Sequence, residues 1–148
     1  MFLSNHKLDT QWLAQVSFFD GFDQSQLEAV SRLGERVVAK AGTLLIDQGR
    51  VGDQCFVVIT GRAAVHIRGE FVTSVGPGTM VGEMALVGHR PRSASVSAET
   101  DMELVSFGTE DFGNLLKQSP QTYQRVMELL ARRLEENRLR DQSTPEEA

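Results

Sequence analysis

Cysteine is nearly absent from this 148-residue chain, in which Cys55 is the single example. A lone cysteine excludes an intrachain disulfide and a cysteine-based metal cluster. Long apolar runs are also missing, since "CFVVI" is far shorter than the roughly 20 residues of a membrane-spanning helix. The start, "MFLSNHKLDT", lacks both the positive end and the long apolar stretch of a signal peptide. We therefore expect a cytoplasmic protein with no membrane partner.

Positive charge is scarce: 15 lysines and arginines stand against 20 acidic residues, and the net charge is −5. Because nucleic-acid binding draws on a basic surface, direct nucleic-acid binding is not expected. Histidine is scarce too, with three in the chain, and only His66 lies in a strand-like run, four positions before Glu70. A metal-dependent enzyme needs several converging His and carboxylate ligands, so neither that class nor a haem or redox sensor is favoured.

An opening helical segment is predicted over residues 1–35. Two stretches, "LDTQWLAQV" and "DQSQLEAVSRLGE", space their apolar residues three and four apart, as amphipathic helices do. Asp23 or Ser25 is the expected N-cap of the second helix. The composition, 41% hydrophobic and 24% charged, is typical of a globular chain, and the length favours one domain.

Residues 36–108 follow a different period. Short runs such as "QCFVVITG", "RAAVHIRG" and "MELVSFG" have β-type composition and are separated by glycines or acidic turns. Their spacing of about 8–12 residues predicts a closed or two-sheet β structure such as a jelly roll. Glycines at the turns, Gly49 and Gly52 among them, are expected to adopt a positive φ. Inside this region "GEMAL" favours one short helical turn.

Two further helices are predicted over residues 109–140. "TEDFGNLLKQSP" indicates a helix capped by Thr109, and Pro120 suits the first turn of the last helix. The last helix carries one apolar stripe, which consists of Tyr123, Val126, Met127, Leu130 and Leu134. Residues 141–148 have no apolar anchor and are predicted to form a flexible tail.

The segment "VGEMALVGHRPRSASV" has the chemistry of an anion site. Residues 82–86 would present backbone N–H groups at the start of a short helix, and Gly82 allows close approach. Arg92 offers a planar fork that matches two phosphate oxygens, and Ser93 adds a hydroxyl or an N–H. Glu83 only accepts hydrogen bonds, so beside a phosphate it needs hydroxyl donors such as those of a ribose. Spacing alone leaves open a dipole-stabilising Glu83 and a solvated Arg92.

The same segment resembles the phosphate-binding cassette of cyclic nucleotide-binding domains. In that cassette a Gly-Glu-x-Ala turn precedes a Pro-Arg-small-small-x-Val strand, and residues 81–96 look closer to bacterial cyclic-nucleotide-gated potassium channels. "AGTLLIDQGRVGDQCFVVITGRAAV" is similar to the family's first strands, and "ARRLEENRLR" resembles the base-covering helix of the catabolite activator protein. The resemblance spans roughly residues 16–140. It implies an eight-stranded antiparallel β roll, a short phosphate-binding helix and C-terminal lid helices.

The resemblance also implies a role for each cassette residue. Arg92 would pair with the cyclic phosphate, and the N–H groups of Ala85 and Ser93 would complete the phosphate cradle. Glu83 would accept the ribose 2′-hydroxyl, with help from the Gly82 backbone. The walls around sugar and base would be formed by Ile67, Val81, Met84 and Ala94.

The expected ligand is cAMP, with cGMP as the alternative. In family members a threonine after the cassette arginine accompanies cGMP preference, whereas this chain has Ser93 there. Asn137 and Arg138 match positions at which relatives contact or cap adenine, and their amide and guanidinium groups suit that task. The other interpretation makes both of them ordinary exposed helix residues. No separate cofactor is expected.

The resemblance implies a binding module that is not an enzyme. Binding would be coupled to movement of the C-terminal helices, with the 123–134 stripe acting as a lid or joining two chains into a homodimer. The effector is unknown, and both a stand-alone sensor and a domain of a longer protein stay open. The alternative function is a degenerate cyclic-nucleotide-binding fold used as a protein-interaction scaffold. The presence of Glu83 and Arg92 argues against a scaffold, because a buried arginine without a partner lowers the stability of the fold.

Overall fold

The computed structural model of the chain describes residues 8–87 and 91–142, without the side chains of Val87, Asn137 and residues 140–142. Eight strands form two four-stranded antiparallel sheets, with the orders β1-β8-β3-β6 and β2-β7-β4-β5. The strands are β1 Glu35–Ala39, β2 Leu44–Ile46, β3 Gln54–Thr60, β4 Ala63–Ile67, β5 Glu70–Val75, β6 Met80–Val81, β7 Ser95–Ala98 and β8 Met102–Gly108. The predicted β roll with flanking helices is thereby confirmed.

Helices flank the roll at both ends of the chain. They are α1 Thr10–Leu13, α2 Gln24–Leu33, α3 Thr109–Leu116 and α4 Pro120–Gln142, with 3-10 helices at Ser17–Phe19 and Glu83–Val87. We call the second 3-10 helix, Glu83–Val87, the cassette helix. Across the described part of the chain, every helix is too short or too polar to cross a membrane.

Local sequence signals explain where α2 begins. The Asp23 carboxylate accepts from the Gln26 backbone N–H at 2.8 Å, and the Gln26 side chain accepts from the Asp23 N–H at 2.9 Å. This reciprocal capping box satisfies two backbone donors that a helix start leaves unpaired. Of the two candidate N-caps, Asp23 and Ser25, the structure uses Asp23.

Two boundaries near the C-terminus differ from the sequence prediction. Thr109 is the first residue of α3 rather than its cap, a position that Gly108 occupies. The Thr109 N–H and hydroxyl instead donate to the Asp53 carbonyl, at 2.8 and 3.1 Å, because the loop before β3 lies beside this helix end. The last helix continues to Gln142, so residues 141–142 are helical, while the rest of the predicted tail lies outside the described residues.

The core has two parts. Residues of both sheets fill the roll, among them Ile46, Val58, Val96 and Leu104. A second cluster joins the helices to the other side of the β3–β8 pair and contains the packed rings of Phe18, Phe19, Phe107 and Phe112. In the predicted stripe of α4, Val126 and Leu130 are fully buried. The last helix is therefore docked on the domain through its apolar face.

The start of α4 is tied to the N-terminal helices by polar contacts. Gln26 Nε2 donates to Thr122 Oγ1 at 3.0 Å, and Arg125 Nη2 donates to the Phe18 carbonyl at 2.9 Å. The Arg125 guanidinium also lies 5.8 Å from the centre of the Phe22 ring. These contacts anchor the first turns of α4. The later turns of the helix are not reached by them.

Gly34, between α2 and β1, provides a test of this packing. A Cβ atom there would lie 2.6 Å from Val105 Cγ1, 2.8 Å from Leu8 Cδ1 and 2.9 Å from Phe107 Cε1. We expect Gly34→Ala to lower the free energy of unfolding by about 1–3 kcal/mol through overpacking, measured by urea denaturation. The control is Gly113→Ala in α3, where a Cβ meets nothing within 4 Å and stability should hold or rise. A Gly34→Ala protein as stable as the parent would contradict this packing.

Candidate functional site

A cavity of about 210 Å³ opens between the roll and the cassette. Most of its wall is hydrophobic, and Glu83 and Arg92 bring charge of both signs to it. The described residues that line it are Ile46, Val65, Val75, Thr79, Met80, Val81, Gly82, Glu83, Met84, Ala85, Arg92, Ser93, Ala94 and Val96. The structure thus brings together eight of the residues predicted for the site, which are Val81, Gly82, Glu83, Met84, Ala85, Arg92, Ser93 and Ala94.

Arg92 is held at the cavity by the backbone. Its Nη1 donates to the Gly82 carbonyl at 3.1 Å, and its Nη2 donates to the Gln54 carbonyl at 2.6 Å. Burial lowers the pKa of Arg92, and the nearby Cys55, Asp53 and Glu83 oppose that shift. Within residues 8–87 and 91–142, no carboxylate forms an ion pair with this guanidinium. Its positive charge is therefore available to an anion that enters the cavity.

The Arg92 backbone is fixed from a second direction. Its N–H donates to the Arg50 carbonyl at 2.7 Å, and its carbonyl accepts from the Gly49 N–H at 2.8 Å. Both partners lie in the loop after β2, where Gly49 has a φ of +87°. The backbone of Arg92 is thus bonded on both sides to the tight turn at Gly49 and Arg50, which fixes the point from which its side chain extends to the cavity.

The cassette helix begins with a close turn at Gly82, whose φ is +82°. The Ala85 N–H donates to the Gly82 carbonyl at 3.2 Å, so this predicted member of the phosphate cradle is engaged within the turn. Ser93 is exposed at the cavity, and its hydroxyl and N–H make no hydrogen bond to another described residue. Ser93 is therefore the more accessible of the two predicted amide donors.

Glu83 connects the cassette to the last helix. It is 8% exposed, and its Oε2 accepts a hydrogen bond from Nη1 of Arg133 in α4, with which it forms an ion pair. In the part of the chain that the structure describes, Glu83 Oε1 accepts no hydrogen bond. One oxygen of this carboxylate thus holds α4, and the other is left for a donor in the cavity.

Arg133 was missed by the sequence analysis, which considered only Asn137 and Arg138 in this helix. The signal was present, because Arg133 lies seven positions after Val126 and three after Leu130. Both of those residues are fully buried, and positions three, four and seven apart share one helix face. An arginine on the buried face of an amphipathic helix needs an acidic partner, which the cassette supplies.

Ile67 lies outside the cavity, contrary to expectation. Val65 and Val75 form the wall on that side, and Ile67 pairs with Glu70 at the end of the β4–β5 hairpin. Strand β4 stays in regular register with β7 up to His66, and the extra residue of the hairpin, Val72, lies on β5. Ile67 is therefore on the same face of β4 as Val65, but it lies one residue beyond the pairing with β7. Alternation along a strand gives the face on which a residue lies, but not how far along the strand a cavity extends.

Of the two predicted base contacts, the structure describes the side chain of Arg138, which does not line the cavity. Arg138 is exposed on α4 and donates to the Glu135 carboxylate through Nε at 3.1 Å and through Nη2 at 2.6 Å. That pair lowers the pKa of Glu135 and raises the pKa of Arg138. The side chain of Asn137 lies outside the described residues. Base contacts by both residues stay predictions.

Metal chemistry finds no support in the described residues, which contain no group of three or more His, Cys, Asp or Glu side chains arranged to hold a metal ion. The rings of His66 and Phe71 pack edge to face, with their centres 5.8 Å apart.

With this geometry established, comparison with known proteins identifies the family. Residues 36–119, more than half of the chain, match the cyclic nucleotide-binding domain. The chain belongs to the cyclic nucleotide-binding domain family. This agrees with a cavity in which a glycine turn, an acid and an arginine converge.

Individual relatives extend the comparison. The chain is 36% identical over 114 residues to the Pycsar effector protein XpPycTIR of Xanthomonas perforans, a match that covers 76% of this chain and 38% of the relative. It is 38% identical over 112 residues to the cyclic nucleotide-gated potassium channel RHE_CH03180 of Rhizobium etli, covering 75% and 31%. A co-crystal structure of the regulatory domain of Toxoplasma gondii PKA with cAMP superposes with a TM-score of 0.74 at 25% identity, covering 86% and 48%. Each match spans less than half of the relative's own length.

Cys55, on β3 beside the site, yields a pH-dependent prediction. Burial raises the pKa of its thiol to about 12, and the nearby charge of Glu83 adds to this effect. Because an unfolded cysteine titrates near pH 8.5, the stability that the neutral thiol contributes is present below that pH and is lost as the pH rises toward 12. We expect the free energy of unfolding to fall more steeply above pH 9 than in Cys55→Ala, by up to about 1.4 kcal/mol per pH unit. Urea denaturation at pH 8, 9 and 10 under reducing conditions measures both slopes, and equal slopes would refute the assignment.

Proposed function

We propose that this chain is a regulatory module that binds a cyclic nucleotide, cAMP in preference to cGMP, and couples its occupancy to the position of α4. The observation that carries the proposal is the joint placement of Arg92 and Glu83 at one cavity. Arg92 has no acidic partner among the described residues, and Glu83 keeps one carboxylate oxygen unengaged. The module is proposed to bind and signal rather than to catalyse.

The two charges fit the two polar parts of a cyclic nucleotide. The cyclic phosphate is an anion, which the forked N–H groups of Arg92 recognise and the accessible N–H of Ser93 supports. A carboxylate repels that phosphate but accepts a hydrogen bond from the ribose 2′-hydroxyl, so Glu83 specifies the sugar and its orientation. The hydrophobic wall formed by Val65, Val75 and their neighbours suits a stacked base.

The preference for cAMP rests on comparison and on α4. The Toxoplasma gondii structure holds cAMP, and its regulatory domain shares this fold over most of the chain. Besides the charged groups of Glu83 and Arg92, the polar side chains that line the cavity are the hydroxyls of Thr79 and Ser93. Two hydroxyls offer little to distinguish adenine from guanine. We therefore assign base selection to α4, with Asn137 and Arg138 as the candidates from the sequence.

The module needs a receiver for its signal. Since the chain spans 38% and 31% of two relatives' lengths, the receiver of the signal is either a further domain or a separate partner protein. A homodimer through α4 and a cytoplasmic location remain predictions from the sequence.

Calorimetric titration tests the binding. We expect cAMP to bind nucleotide-stripped protein with micromolar affinity, about −8 kcal/mol, and more tightly than cGMP. Arg92→Ala should weaken cAMP binding by about 2–5 kcal/mol, because it removes the positive partner of the phosphate. The matched control is Arg32→Ala, which removes an exposed arginine of α2. No binding of either nucleotide would overturn the proposal in favour of the scaffold, and undiminished affinity in Arg92→Ala would remove Arg92 from the site.

The coupling follows from the double use of Glu83. A ribose hydroxyl bonded to Oε1 holds the carboxylate where Arg133 reaches Oε2, so nucleotide binding and docking of α4 favour each other. The Arg133 side chain is 36% exposed, which makes this pair accessible enough to open and close. By thermodynamic linkage, the factor by which docking of α4 raises nucleotide affinity equals the factor by which the bound nucleotide raises the equilibrium constant for α4 docking.

Hydrogen exchange tests the coupling. In the parent protein, cAMP should slow amide exchange in the second half of α4, and Arg133→Ala should abolish that slowing and weaken cAMP binding by roughly fivefold or more. The control is Arg132→Ala, which removes the neighbouring exposed arginine and changes the charge equally. Identical nucleotide-dependent protection in both variants would show that the Glu83–Arg133 pair does not carry the signal.

A further inference from the structure

Gly52, in the segment between β2 and β3, lies directly against the Arg92 guanidinium. A Cβ atom at this position would lie 2.7 Å from Arg92 Nε and 2.9 Å from Cζ, and closer still to Nη2. The sequence prediction of a positive φ at Gly52 is wrong, since Gly52 is not among the glycines that adopt one. Turn geometry therefore does not require glycine here, and the reason for it is the space that a side chain would take.

A second glycine bounds the guanidinium at its other end. A Cβ atom on Gly82 would lie 2.9 Å from Arg92 Nη1. The carbonyls of Gly82 and Gln54 accept from Nη1 and Nη2, so two glycines and two carbonyls form a slot around the planar group. The slot, rather than an acidic side chain, sets the orientation of Arg92.

The two glycines differ in what a substitution would do. Gly82 has a φ of +82°, so any side chain there strains the backbone as well as crowding the arginine. At Gly52 the three nearest atoms all belong to the end of the flexible Arg92 side chain. An alanine at position 52 is thus accommodated by moving the guanidinium, with the surrounding backbone left in place.

We propose that Gly52 is a positioning residue for the cyclic nucleotide, because its missing side chain leaves the slot that aims Arg92 at the phosphate. The inference rests on the proposed function. A guanidinium recognises phosphate through a directional fork of N–H groups, so a shift of its plane misaligns two hydrogen bonds at once. Gly52 acts only through Arg92 and touches no ligand itself.

A double-mutant cycle tests this role. Calorimetry would measure cAMP affinity for the parent, Gly52→Ala, Arg92→Lys and the protein with both changes. We expect Gly52→Ala to weaken binding about tenfold or more in the parent. In the Arg92→Lys background the same change should cost less than about twofold, because lysine has no atom at the position of Nη2, the closest contact, and its ammonium is a point charge without a plane to misalign. Gly113→Ala, where a Cβ meets open space, is the control and should bind as the parent does.

Each outcome is decisive. Parental affinity in Gly52→Ala, or an equal loss in the arginine and lysine backgrounds, overturns the positioning role while the parent still binds cAMP. A parent that binds no nucleotide is the failure of the proposed function itself, and the inference falls with it. Thermal unfolding of all four proteins covers loss of folding. If Gly52→Ala is unfolded and adding Arg92→Lys restores folding, the result supports the slot around Arg92. If Gly52→Ala is unfolded in both backgrounds, the result refutes the slot.

Discussion

The site depends on how the positive charge of Arg92 is held away from bulk water without an acidic partner among the residues that the structure describes. Arg92 donates to the carbonyls of Gly82 and Gln54, and burial disfavours its charged form. Backbone carbonyls offset part of that cost while leaving the charge uncompensated. This arrangement suits a binding site, because an entering anion supplies the missing counter-charge.

The register of the sheet places the two carbonyls that hold the Arg92 guanidinium. Strand β3 starts at Gln54, and its pairing with β6 sets Phe56 opposite Val81 and Val57 opposite Met80. The start of β3 and the turn after β6 therefore lie side by side, although nearly 30 residues separate them in the chain. The two carbonyls that hold Arg92 come from these two places, so the site follows from the pairing of strands that also build the core.

Helix α4 belongs to the site as much as to the fold. Its first turns are bonded to the N-terminal helices through Thr122 and Arg125, and its middle is buried through Val126 and Leu130. Beyond that buried middle, Arg133 reaches the cassette acid. A rigid element anchored at one end and ion-paired near the other is placed to report a change at Glu83, provided that a ligand distinguishes its docked and undocked arrangements.

The sequence alone determined the elements and the chemistry of the cassette. Glycine-punctuated β runs indicated the roll, the spacing of apolar residues indicated the buried stripe of α4, and Gly82, Glu83 and Arg92 indicated an anion beside a sugar. These signals are local, because periodicity, caps and short motifs act within a few residues. They were sufficient for the fold class, and the family resemblance of the cassette added most of the cavity lining.

Only the tertiary structure decided which distant residues meet. Arg133 pairs with Glu83 across 50 positions of sequence, and Ile67 lies at the end of β4, past the residues that line the cavity. Gly52 gives space to Arg92 instead of adopting a positive φ. Each of these outcomes depends on strand register or helix docking. Those are set by the packing of the whole core, and a local pattern of residues contains no information about them.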